Sequence, residues 1–403
     1  MALFGVAIMP TSLGSLGMRI PRFLLWTPAV AVAWLFGSGS QGSAADIEMS
    51  ETIPLPMAHS IGWVNAWLKE DPAKKGKVWD GVLDEVKWGT PSPQQAVSRD
   101  WQFSITDAQW EEAVQQRGEG KRVDVKFDLW IPEGVETVRG VVAISGHGSG
   151  TGLFKRADLR AIARELNLAV FTFLGDPMQR GFLPRKLFFE RLRDLGAKSG
   201  HPELEHAPLF LYGHSNGTGF SAVFTAAETE RVWGWVSMRP GITFQVYQPA
   251  AAKVPGLVIF GEDDPFLQRP SAGENLAVVE TMRKKHGAVW SFAVEPKTGH
   301  GPGEKTWPLV FSFLRHSFAA RVPTEGDARR GPVKLREVAL ESGYLGQNWD
   351  LAQGGYQTLP VASFATFGGV KAGASWLLNE AFAKDWQAFQ RDGQIGGVPE
   401  SAR

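Results

Sequence analysis

The chain has 403 residues, enough for one large domain with an appendage. Its 42 basic and 42 acidic side chains balance, which excludes a strongly basic nucleic-acid surface and marked attraction to anionic membranes. There is no cysteine, so thiol nucleophiles and thiolate metal sites are excluded, although a domain this large needs no disulfide for export.

From the N-terminus, Arg19-Ile20-Pro21-Arg22 is a basic lead into an apolar run over residues 23–36, and small residues follow up to Ala44-Ala45. That order predicts a secretory signal peptide over residues 1–45, cleaved after Ala44 or Ala45, and a secreted or periplasmic protein. The apolar run is short and proline-broken, which disfavours a permanent membrane span and leaves a retained anchor as the alternative. Met18, just before the basic lead, is a candidate for the true start. Residues 46–120 read as a mixed, polar lead-in, with 101–114 fitting neither a strand nor a helix period cleanly.

Residues 121–130 alternate as a half-exposed strand does, and Pro132-Glu133-Gly134 then turns the chain. Gly140-Val141-Val142-Ala143-Ile144-Ser145 reads as a buried strand ending in Gly146-His147-Gly148-Ser149-Gly150. Glycines in such a loop let backbone N–H groups face a ligand without Cβ obstruction. They match neither a phosphate loop, which needs Gly-Lys-Ser/Thr, nor a dinucleotide fingerprint. A strand over 168–174 leads into a Pro/Gly-rich loop, 175–185, that is either a plain crossover or a border of the site. An amphipathic helix over 186–195 follows.

The most informative stretch is Leu209-Phe210-Leu211-Tyr212-Gly213-His214-Ser215-Asn216-Gly217. A buried strand stops at Gly-x-Ser-x-Gly, and a helix of small residues begins. A serine in that strand–turn–helix setting is lifted above a sheet, with the next backbone N–H at a helix N-terminus where an oxyanion could be held. A hydroxyl is a poor nucleophile without a base and a group that orients the base. Downstream, a strand over 254–260 ends in Gly261-Glu262-Asp263-Asp264, and a strand over 289–294 ends in Thr298-Gly299-His300-Gly301, ahead of a helix over 306–318. Serine, acid and histidine thus follow one another, each just past a strand. No long inserted lid follows the strand over 232–238.

Alternating strands and helices imply an α/β fold with a mostly parallel central sheet flanked by helices, and ligands at the strand C-terminal ends. Residues 321–403 lie beyond it as a C-terminal extension: a polar linker over 324–332, strand and turn over 333–345, then a helix over 376–389. Leu378, Phe382, Trp386 and Phe389 share one face of that helix, which should pack back on the catalytic domain. The 16 tryptophans against 4 tyrosines read as core, with a glycan platform as the alternative.

These residues resemble the α/β-hydrolase superfamily, on the side of secreted serine esterases of the dienelactone-hydrolase-like and feruloyl-esterase-like kinds. The resemblance covers residues 121–320, about half the chain. It implies an α/β-hydrolase fold with N- and C-terminal extensions, and an ester hydrolase with Ser215 as nucleophile, His300 as base and Asp264 as acid. Asp263 stays open as the rival acid. It also implies an oxyanion hole from the N–H of Asn216 and that of Gly148 or Ser149. By position alone, His147 shapes the oxyanion loop or contacts substrate, and His214, beside Ser215, packs by the strand or stands on the substrate side rather than acting as base. No cofactor is implied, and the partner is a small or polymer-attached ester. The alternatives are a serine peptidase or thioesterase on the same fold, or a non-catalytic scaffold that binds glycans or other ligands. Among the 8 histidines, His201 and His206 read as a surface loop and His286 as an exposed helix end, and no pair has metal-ligand spacing.

Overall fold

Runs of β-branched and aromatic residues bounded by glycine, proline or polar turns become the strands of one sheet. The computed structural model describes residues 45–56, 122–174, 185–240, 249–265, 267, 270–350, 355–356, 361–391 and 395. The predicted signal peptide up to residue 44, residues 101–114, and the segments 175–184 and 241–248 lie outside the described residues.

The strands are β1 (Ile47–Pro56), β2 (Arg122–Ile131), β3 (Gly140–Ser145), β4 (Leu168–Leu174), β5 (Leu209–His214), β6 (Val232–Met238), β7 (Gly256–Gly261) and β8 (Trp290–Glu295). The helices are α1 (Gly150–Phe154), α2 (Ala157–Leu166), α3 (Arg185–Ser199), α4 (Thr218–Ala227), α5 (Pro270–His286), α6 (Thr306–Arg321) and α7 (Glu380–Phe389). The sheet order is β1-β2-β4-β3-β5-β6-β7-β8. β2 runs antiparallel to β1 and β4, and every pairing from β4 to β8 is parallel.

Because successive strand residues point to opposite faces, the sheet feeds two cores. Val141, Ala143, Phe171, Phe173 and Leu211 pack on one side with Phe188 of α3 and Phe220 and Phe224 of α4. Val142, Ile144, Val170, Phe210 and Tyr212 pack on the other with Ile162 of α2 and Leu309, Val310 and Phe313 of α6. Helices on both faces leave the strand C-terminal ends as the place where loops converge.

The polar lead-in supplies β1, whose register pairs Ile47 with Ile131 and continues to Pro56 with Arg122. Ile47, Met49 and Ile53 pack on the first core, while Glu48 and Ser50 alternate outward. Asp46 fixes its start by accepting from Trp130 Nε1 at 3.2 Å and pairing with Arg164 at 2.5 Å.

The C-terminal helix begins later than the sequence suggests. Ser375–Leu377 form β11 of a small sheet with β9 (Tyr344–Gly346) and β10 (Ala362–Ser363), and Asn379 caps α7 by accepting the Phe382 N–H at 2.9 Å. Trp376 is therefore a strand residue, buried among the second core's side chains. In the expected segment over 333–345, the strand starts only at Tyr344. The extension lies along β8, at the sheet's edge. Ser375 Oγ accepts the Phe292 N–H at 2.8 Å, Trp386 Nε1 donates to the Phe292 carbonyl at 3.0 Å, and Gln390 Oε1 accepts the Val294 N–H at 3.1 Å. Side chains thus satisfy backbone groups that an open edge would offer to another chain. Among the described residues, no helix is long and apolar enough to cross a membrane.

Candidate active site

The site begins where β5 ends. Ser215 has φ of +55°, in the left-handed region that a non-glycine residue occupies only under strain. The turn is tight because the glycines on either side leave room for it. A Cβ at Gly213 would overlap the Gly217 carbonyl, and one at Gly217 would come 2.7 Å from Ser145 Oγ. Thr218 Oγ1 donates to the Ser215 carbonyl at 2.7 Å and holds the turn against α4. Ser215 itself is half-buried, so its hydroxyl stays within reach of a ligand.

The loops after β7 and β8 bring the two partners. His300 Nε2 lies 2.9 Å from Ser215 Oγ, and His300 Nδ1 lies 3.2 and 3.1 Å from the two carboxylate oxygens of Asp264. Serine O–H donating to Nε2 and Nδ1–H donating to the carboxylate define a single neutral tautomer. Asp264 is fully buried, while the His300 side chain is 30% exposed. Asp263 separates from it: its amide donates to the Thr298 carbonyl at 2.8 Å, and the residue is exposed. The structure therefore brings Ser215, His300 and Asp264 together and leaves Asp263 at the surface.

The glycine-rich loop after β3 narrows the two expected amides to one. The Ser149 amide donates to His214 Nδ1 at 2.8 Å, so it is committed to the imidazole and is not the oxyanion donor. Gly148, exposed and with φ of +59°, remains as the loop's candidate, and the Asn216 amide stands in the turn Ser215–Gly217 that opens α4. His147 is half-buried, with its Cβ 3.3 Å from where a Gly217 Cβ would stand. His214 is not a substrate residue. It is 5% exposed, and its Nε2 donates to the His300 carbonyl at 2.9 Å, so both ring nitrogens are used.

Sequence reasoning missed Arg239, the residue directly after β6. It is fully buried, with φ of +44° in front of a proline, which strains the backbone. Its guanidinium donates to the Gly299 carbonyl at 2.7 Å, to Glu295 Oε2 at 2.9 Å and to Thr298 Oγ1 at 3.0 Å. Glu295 also accepts the Lys305 N–H at 2.9 Å and a hydrogen bond from the Thr306 hydroxyl. This pair fixes the loop that carries His300. The only hint in the sequence was a charged residue at the end of the apolar run over 232–238. Replacing Arg239 by methionine leaves Glu295 buried without its cation and should cost about 3–5 kcal/mol of stability. Chemical denaturation of the two proteins measures it, and a loss under about 1 kcal/mol would contradict the assignment.

Ser215, Asp264 and His300 follow β5, β7 and β8 in a sheet whose second strand is antiparallel and whose order crosses at β3 and β4. The fold is the α/β-hydrolase fold. No protein-family model matches the sequence, and no curated protein does. Among solved structures, a predicted CIB-like hydrolase from Thermoplasma acidophilum is similar at 16% identity, over 48% of this chain and 93% of its own, with a TM-score of 0.32. An S-formylglutathione hydrolase from Agrobacterium tumefaciens is 14% identical over 48% of this chain and 89% of its own, with a TM-score of 0.38. A poly(3-hydroxybutyrate) depolymerase from Bordetella parapertussis is 16% identical over 51% of this chain and 88% of its own, with a TM-score of 0.36.

The other histidines of the chain correct the sequence reading. His201 is buried and its Nδ1 meets Glu203 Oε1 at 2.9 Å, while the same carboxylate accepts the Val138 N–H. His206 is half-buried. His286 is half-buried rather than exposed, and Arg283 beside it is buried, donating to the carbonyls of Ala374, Ala288 and Lys371.

His214 carries a pH prediction. Burial, first of all, lowers its pKa from 6.5 to about 4; the carbonyl of His300 opposes that, and the charges of His300, Arg239 and His147 add to it. Between those values the unfolded chain binds a proton that the folded one refuses. Its contribution is therefore complete above about pH 6.5 and declines as pH falls toward 4, by about 3 kcal/mol. Urea unfolding at pH 7.5 and 4.5 should show this extra acid sensitivity in the natural chain and not in His214→Asn. Parallel losses in both proteins would contradict it.

Proposed function

We propose that the protein is an exported serine hydrolase that cleaves carboxylic esters through an acyl-enzyme. The observation that carries this reading is the unbroken chain from Ser215 Oγ to His300, 2.9 Å away, and on to buried Asp264. Ser215 Oγ attacks the ester carbonyl carbon while His300 Nε2 takes its proton, and Asp264 stabilises the imidazolium. The amides of Gly148 and Asn216 receive the oxyanion. His300 then gives the proton to the leaving alkoxide oxygen, and water repeats the sequence to free the acid. Export is supported by the basic, apolar and small segments of residues 19–45. The preference for esters over thioesters or peptides rests on the resemblance, since the same proton transfers serve all three.

The test is hydrolysis of p-nitrophenyl esters of graded acyl length by the mature protein. Saturable turnover is expected, with the length profile sizing the acyl pocket. A natively folded protein that turns over none of them would overturn the reading in favour of a ligand-binding scaffold.

A further inference from the structure

Tyr212 and His214 stand two residues apart on β5 and so share one face of the strand. Both reach the same loop residue. Tyr212 Oη meets Ser149 Oγ at 2.8 Å, and His214 Nδ1 accepts the Ser149 N–H at 2.8 Å. The loop lies directly on the imidazole, because a Cβ at Gly148 would overlap His214 Nδ1. On its other side the ring donates from Nε2 to the carbonyl of His300 and packs against the His300 ring, with centroids 5.1 Å apart. The nucleophile is the very next residue in the chain.

We infer that His214 is a positioning residue: its imidazole fixes the oxyanion loop and the backbone of His300 relative to each other and to Ser215. The inference rests on the serine-hydrolase reading. Attack on a carbonyl requires the base, the nucleophile and the oxyanion donors to hold one geometry together, and these come from loops after three different strands. Arg239 ties the His300 loop to β6 and β8. Acceptor at Nδ1 and donor at Nε2 fix the tautomer, so the ring must stay uncharged to hold both ends.

The two hydrogen bonds can be separated. His214→Asn places an amide near the Nδ1 position, where its oxygen accepts from Ser149, and gives up the bond to His300. His214→Gln places an amide N–H near the Nε2 position and gives up the bond to Ser149. His214→Leu removes both. With p-nitrophenyl acetate, Asn and Gln should each lower kcat about 10–100-fold with KM within threefold, and Leu should lower it further. The rate of phosphonylation by a fluorophosphonate should fall in step, since it needs the same nucleophile and oxyanion site.

Wild-type kcat in both Asn and Gln variants, or a loss confined to KM, overturns the inference. So does a loss that merely follows the folded fraction, measured by thermal melts of all three variants, since that assigns the ring to packing alone. Absence of turnover in the natural chain is a different result: it overturns the hydrolase reading, and the positioning role with it.

Discussion

Replacing Ser215 by alanine should lower ester turnover about 10⁶-fold while leaving the fold in place. The side chain is small, half-buried and at the surface of a turn, and the left-handed backbone there treats alanine and serine alike. Thr218 holds the Ser215 carbonyl rather than its hydroxyl, so the elbow survives the change. What disappears is the bond to His300 Nε2 and the atom that bonds to the acyl group. Any residual rate reports binding and oxyanion stabilisation alone. Steady-state rates of natural chain and variant, with matched circular dichroism, make the comparison. A loss under about tenfold would mean that the chemistry does not pass through Ser215.

The second large effect belongs to Asp264. Asparagine at this position should lower kcat about 10⁴-fold, because its amide N–H₂ would face His300 Nδ1 and turn the imidazole to the wrong tautomer. Nε2 would then carry the proton and point a donor at Ser215 Oγ. Burial makes the effect strong, since Asp264 has no exposure and no water can replace the carboxylate. Asp263→Asn is the internal control. That side chain is exposed, and its backbone amide keeps its bond to Thr298, so turnover should stay within about twofold. If the neighbour carried the loss instead, the assignment of the acid would be wrong.

The elbow, the acidic turn and the histidine loop were legible because each is a local signal: a buried strand followed at a fixed spacing by glycine and one polar residue. The strand order brings them together at one end of the sheet, which follows from alternating strands and helices. What local pattern could not show were contacts between loops. Arg239 looks like a residue leaving a strand until the Glu295 carboxylate and the Gly299 carbonyl close around it. His214, next to Ser215, reads as strand packing or a substrate contact, and becomes a strut only when Ser149 and His300 arrive from separate loops. The committed Ser149 amide was invisible for the same reason. β1 was hidden because an edge strand with Glu48, Ser50 and Thr52 facing outward has the composition of a polar lead-in. In the extension, a strand followed by an asparagine cap has nearly the apolar spacing of one longer helix, so Trp376 was assigned to the wrong element.

The central claim is that Ser215 is an activated nucleophile, and its direct measurement is covalent capture. The natural chain is treated with a fluorophosphonate at neutral pH, weighed intact, and mapped by peptide mass spectrometry. A single adduct on the Ser215 peptide, formed far more slowly when His300 is replaced by alanine, is the predicted result. A folded protein that takes no adduct, or takes it on another side chain, would contradict the account.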